Sequence, residues 1–175
     1  VAENPALWLG AALGALAGQG RDKVTLVLGE GVKEFGAWLE QLIAESTGKQ
    51  GTGVLPVDGE RVYAPAVYGD DRVFVYLKLA NAPDVLLEQD LDALAAAGHP
   101  LITITLRDVY DLGAEFLRWE LATAALGHML RVTRFDEPNV TVHEDHTRPL
   151  RGTSRPNPAP ASEPTATAQR CPRLA

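Results

Sequence analysis

Glu45, Thr47 and Lys49 stand together in "EQLIAESTGKQGTGVLP", where a helix-period stretch meets Gly48, Gly51 and Gly53. A carboxylate in the last turn of a helix sits at the negative end of the helix dipole, which disfavours its charged form. That placement suits a general base that takes a proton and returns it. The alternative for Glu45 is a solvated side chain paired with Lys49 one turn on, worth a few tenths of a kcal/mol.

Other constellations are weaker. "VLGEGVKE" follows a strand and opens a helix like a dinucleotide fingerprint. However, Glu34 stands where the third glycine belongs, and a carboxylate there repels a pyrophosphate. Gly48-Lys49 is followed by Gln50 instead of the Ser or Thr that would meet magnesium, and Ile43 occupies the place of the first glycine of a phosphate loop. The loop also follows a helix instead of preceding one. "HEDH", His143 to His146, borders a tail of unusual composition and reads as solvated loop. His99 reads as a turn residue, His128 as a helix-face residue and Glu30 as a helix N-terminal acid. No metal and no cofactor are expected.

The elements that must position Glu45 are legible as patterns. Asn4 and Pro5 supply an N-cap and a first-turn proline for a helix to Ala17, ended by Gly18 and Gly20. "KVTLVLG" reads as a buried strand. Val32 to Thr47 carries Phe35, Trp38, Leu39, Leu42 and Ile43 on one face, with Gly48 in the C-cap place. "TGVLPV" is a very short strand and "DRVFVYLKL" a longer one. "DVLLEQDLDALAAAGHP" is a helix with Pro83 at its start and Gly98 at its end, and "LITITL" another buried strand. "DLGAEFLRWELATAALGHML" is a long helix with Leu112, Phe116, Trp119, Thr123 and Leu126 or Leu130 inward. This alternation predicts an α/β fold, a three-layer sandwich around a mostly parallel sheet. Ligands of such sheets gather at the carboxyl ends of the strands, here the loops after Leu28, Leu79 and Leu106.

The chain has 175 residues, 46% hydrophobic and 22% charged, enough for one sizeable core. Its net charge of −7 argues against nucleic acid and anionic membrane partners. A single cysteine, Cys171, allows no intrachain disulfide, which fits a cytoplasmic location. No apolar run reaches the roughly 20 residues of a membrane span. From 148 onward five arginines face one acid, Glu163, among six of the 12 prolines. Residues 141–175 are therefore expected to be a disordered or frame-shifted tail behind a domain at 1–140.

"FGAWLEQLIAESTGKQGTGVLPVDGE" resembles the phosphoglucose isomerase family, in particular the isomerase half of the bifunctional transaldolase/glucose-6-phosphate isomerases. "VYGDDRVFVYL", "LDALAAAGHPLITITL", "YDLGAEFLRWELATAALG" and "FDEPNV" continue the resemblance in order. It implies a sugar isomerase (SIS) fold and interconversion of glucose 6-phosphate and fructose 6-phosphate through a cis-enediol. It also implies that Glu45 carries the proton between C1 and C2, with Thr47 and Lys49 as substrate contacts.

Departures accompany the match. Ala66 stands where the relatives' ring-opening histidine is expected, Glu137 replaces a glutamine and Glu144 a substrate-contacting lysine. The phosphate loops of the family belong to a first SIS domain, and no such segment is recognisable here. A partial protein, inactive or nearly so in isolation, is expected. A non-catalytic sugar-phosphate-binding module or an inactive remnant is the alternative.

Overall fold

A computed structural model describes residues 3–48 and 52–132. The expectations that fall on Lys49, on Glu137 and Glu144, on the "HEDH" stretch and on the tail at 141–175 lie outside the described residues.

Four strands form one all-parallel sheet: β1 (Lys23–Leu28), β2 (Leu55–Asp58), β3 (Arg72–Leu79) and β4 (Leu101–Leu106), in the order β2-β1-β3-β4. The expected sheet was mostly parallel; among the described residues every pairing is. Around it run α1 (Pro5–Gly18), α2 (Phe35–Thr47), α3 (Val85–Ala96) and α4 (Leu112–Met129). Because β1 connects leftward to β2 and β3 rightward to β4, right-handed crossovers put α2 and α3 on opposite faces.

Side chains alternate accordingly. Val24 and Leu26 of β1 and Val73, Val75 and Leu77 of β3 point into the larger core with Leu9, Leu13, Leu39, Ile43, Trp119 and Leu126. Val27, Phe74 and Tyr76 point the other way, onto Leu91 and Leu94 of α3. Each such side chain, fully buried, contributes about 1.5–3 kcal/mol of transfer free energy.

Local chemistry sets the helix ends. The Asn4 side chain accepts from the amides of Ala6 (3.0 Å) and Leu7 (3.2 Å), and Asp84 caps α3 through the Leu87 amide at 3.0 Å. Pro83 therefore precedes the cap. α2 starts at Phe35, three residues later than its apolar pattern predicts. Val32 and Phe35 donate instead to Gly29 and Val32 carbonyls, closing tight turns before the helix.

The apolar α1 packs two ways, Leu9 and Leu13 on the sheet and Gly10 and Gly14 on α4. A Cβ at Gly10 would press on the Ala122 carbonyl and lie 2.8 Å from the Ala125 methyl. In α4, Trp119, Thr123 and Leu126 are buried as expected, and Leu112 and Leu130 are half-buried. Phe116 corrects the expectation of an inward residue: it is 41% exposed and meets Trp38 edge-on, ring centroids 4.5 Å apart. It lies at the margin of the α4 stripe, against the flank of α2. Among the described residues no helix is long and apolar enough to cross a membrane.

Candidate functional site

α2 returns antiparallel to the strands, so it begins at the carboxyl edge of the sheet and ends at the amino edge. The start of β2 fixes this geometry, since Leu55 pairs with Lys23 and donates its amide to the Asp22 carbonyl at 2.8 Å. Glu45 and Thr47 therefore stand at the amino edge, away from the strand-end loops where ligands of this architecture usually gather.

At the amino edge Glu45 is exposed on the outer side of α2. The Gln41 side-chain amide, one turn earlier, donates to Glu45 Oε1 at 3.1 Å. Together with Ala37, Glu40 and Ala44 they line an open hollow of about 360 Å³. One carboxylate oxygen is thus held by a neutral donor while the other accepts no hydrogen bond among the described residues, an arrangement open to a substrate C–H or O–H. Gln41 escaped the sequence reading, although its i,i+4 spacing to Glu45 is the pattern that brings such side chains together.

Thr47 behaves differently. It is fully buried, its hydroxyl donating to the Ile43 carbonyl at 2.8 Å and accepting from the Val54 amide at 3.1 Å. The helix then stops at Gly48, whose amide still reaches the Ala44 carbonyl at 2.9 Å. Gly48 occupies the predicted C-cap place, but with φ −74° it is not the left-handed glycine that usually fills it. The left-handed position is Gly53, φ +153°, and a Cβ there would lie 2.9 Å from both Gly48 Cα and the Thr47 carbonyl oxygen. The glycines let the returning loop lie directly on the helix end.

The carboxyl edge holds a larger hollow of about 510 Å³ between the ends of β1 and β2, beside Lys33, Glu34, Asp58, Glu60 and Arg61. Two of its five charges are committed. Lys33 is paired with Glu30, and Glu60 accepts from Arg72 at 2.7 Å. Burial pushes the Asp58 carboxyl above the ordinary carboxylate range, opposed by the Gly59 amide and reinforced by Glu40 and Glu34. Three carboxylates against two cations make a poor seat for a phosphate dianion. At the same edge α4 buries Glu115, 1% exposed, paired with Arg118 at 3.0 Å while Oε2 has no hydrogen-bond partner. Burial raises its carboxyl; Arg118 pulls it back and Asp111 adds to the rise.

The remaining sequence candidates are dispersed. Ala66 is exposed in a 3-10 turn, Pro65–Val67, and offers no titratable group. His99 packs against Phe74 and Tyr68 on the α3 side of the sheet, and His128 is exposed on α4. Glu30 holds Lys33 in the exposed loop after β1. Among the described residues no three His, Cys, Asp or Glu side chains gather as metal ligands would.

No protein-family model matches the chain. It is 27% identical over 146 residues to the glucose-6-phosphate isomerase of Mycoplasmopsis pulmonis (strain UAB CTIP), an alignment covering 62% of this chain and 34% of that protein. The chain thus spans about a third of the length of the curated relative it matches. This similarity, over part of the chain, supports a distant relationship to the phosphoglucose isomerases.

Proposed function

We propose that this chain is the glutamate-bearing part of an aldose–ketose isomerase acting on glucose 6-phosphate and fructose 6-phosphate. Within that family the reading is a C-terminal SIS-type domain, of the kind joined to transaldolase in the bifunctional proteins. The observation that carries it is the exposed carboxylate of Glu45, held on one oxygen by Gln41, inside the Glu-Ser-Thr-Gly-Lys segment. The distant similarity to a glucose-6-phosphate isomerase supports the same reading.

In this mechanism the free oxygen of Glu45 takes the C2 proton of the open-chain aldose. The C2–H electrons form the C1–C2 double bond of the cis-enediol as the C1 carbonyl oxygen gains a proton. The carboxylic acid then returns its proton to C1 as the C2 hydroxyl releases its own proton to solvent, balancing the one the C1 oxygen gained, and becomes the ketone. Positioned proton transfer of this sort contributes typically 10²–10⁴-fold. Lys49 is proposed as a substrate contact. The Thr47 side chain is fully buried, out of reach of a substrate. With Ala66 in the histidine's place, opening of the sugar ring falls to another group or to water.

That same alanine favours the second reading, a non-catalytic sugar-phosphate-binding module, and one experiment separates the two. Isomerisation of fructose 6-phosphate is followed with the 175-residue chain alone and with the chain mixed with the rest of the Mycoplasmopsis pulmonis enzyme, expressed separately. The isomerase reading expects turnover in the mixture and its loss by about 10³-fold on Glu45→Gln. Turnover that survives the substitution, or none in either arrangement, contradicts it.

A further inference from the structure

We propose that Thr47 is a positioning residue: its hydroxyl latches the last turn of α2 to the returning loop and thereby fixes where the Glu45 carboxylate stands. The proposal rests on the reading of Glu45 as proton carrier. A threonine hydroxyl that only back-bonds to the carbonyl four residues earlier, as Thr47 does to Ile43, adds little to a helix. Here the same oxygen also accepts the Val54 amide, seven residues on. Both partners are anchored in the larger core, Ile43 with 0% exposure and Val54 with 3%. Glu45 lies midway between Ile43 and Thr47, so the latch brackets the turn that carries it.

The glycines serve the same end. With no Cβ at Gly53 the loop backbone comes down on Gly48 and the Thr47 carbonyl, which brings the Val54 amide within reach of the hydroxyl. Helix ends ordinarily fray, and a catalytic carboxylate in a frayed turn samples many positions. Apart from the latch, the hold on Glu45 among the described residues is the Gln41 hydrogen bond between exposed side chains. Displacement of a reacting group by about 1 Å costs up to about 10²-fold in rate, so the latch should act on kcat.

The test compares Thr47→Val, which keeps the shape and removes the hydroxyl, with Thr47→Ser, which keeps the hydroxyl. Amide hydrogen exchange of Val54 is measured in the full chain. Fructose 6-phosphate kinetics are measured in the mixture described above. Thr47→Val is expected to speed Val54 exchange about tenfold, the effect of one lost hydrogen bond, and to lower kcat about 10- to 100-fold at unchanged KM. Thr47→Ser is expected to restore both to within about twofold. Wild-type Val54 exchange in Thr47→Val overturns the latch. Faster exchange with unaltered kcat overturns the positioning role, and a raised KM at unchanged kcat makes Thr47 a substrate contact instead. Turnover that survives Glu45→Gln defeats the parent reading while leaving the latch measurable. If the unaltered mixture shows no turnover, the parent reading falls and Val54 exchange alone decides the latch.

Discussion

α2 begins at the carboxyl edge beside Lys33, Glu34 and Asp58 and ends at the amino edge with Glu45, Thr47 and Gly48. Both ends meet loops that carry glycines and charges. At the first, the larger hollow is ringed by carboxylates, with Lys33 and Glu60 already paired. At the second, a smaller and more open hollow presents two carboxylates, Glu40 and Glu45, and the neutral Gln41 amide holds one oxygen of Glu45. Size and the usual habit of parallel sheets favour the first; chemistry favours the second. Where side chains have already neutralised one another, a cavity has little left to offer a charged substrate.

The largest expected effect sets the two edges directly against each other. In the mixture with the rest of the relative, Glu45→Gln should lower kcat by about 10³-fold, while Asp58→Asn should change it less than about twofold. Equal losses would place the chemistry at both edges and end the contrast.

Stability sharpens it next. Gly53→Ala forces a Cβ against the backbone of Gly48 and Thr47 at a left-handed φ, and should cost about 1–3 kcal/mol in denaturant unfolding. Gly36→Ala presses first on the Asp58 carboxylate, its Oδ1 nearest, a side chain that can turn aside, and it gains helix propensity. It should remain within about 1 kcal/mol of the unaltered chain.

The pH dependence concerns the carboxyl edge alone. Burial raises the Glu115 carboxyl in the folded state above the ordinary value of 4.5. The native chain therefore holds that proton longer than the unfolded one. Stability from this group is present below 4.5 and is lost as pH rises through the raised folded value. Glu115→Gln should remove that slope in denaturation curves taken across the range and leave the kinetics of the mixture unchanged. Smallest of all, Lys33→Ala breaks an exposed pair with Glu30 and should leave both stability and turnover at their unaltered values.

The alternation of apolar periods made the parallel sheet legible, and the 3.6-residue spacing of Phe35, Leu39 and Ile43 marked the buried face of α2. What escaped the sequence depended on distant partners. Gly10 and Gly14 look like poor helix residues until α4, more than 100 positions later, closes on them. Phe116 fits the inward stripe by spacing, but the stripe is narrower than its period implies because α2 stands beside it. Glu45 stood out because the Glu-Ser-Thr-Gly-Lys segment resembles that of a family, whereas periodicity made it only one acid in a helical turn. Thr47 was the reverse case: the resemblance implied a substrate contact, whereas its hydroxyl is buried and accepts from the Val54 amide of the returning loop.

The central claim is that Glu45 carries a proton between C1 and C2, and isomerisation of fructose 6-phosphate in D₂O tests it most directly. With the unaltered chain in the mixture, deuterium should enter the sugar at the receiving carbon only to the extent that the Glu45 acid exchanges with solvent before it returns the proton, and Glu45→Gln should abolish both exchange and turnover. Turnover that persists in Glu45→Gln, or deuterium exchange that persists there, would contradict the account.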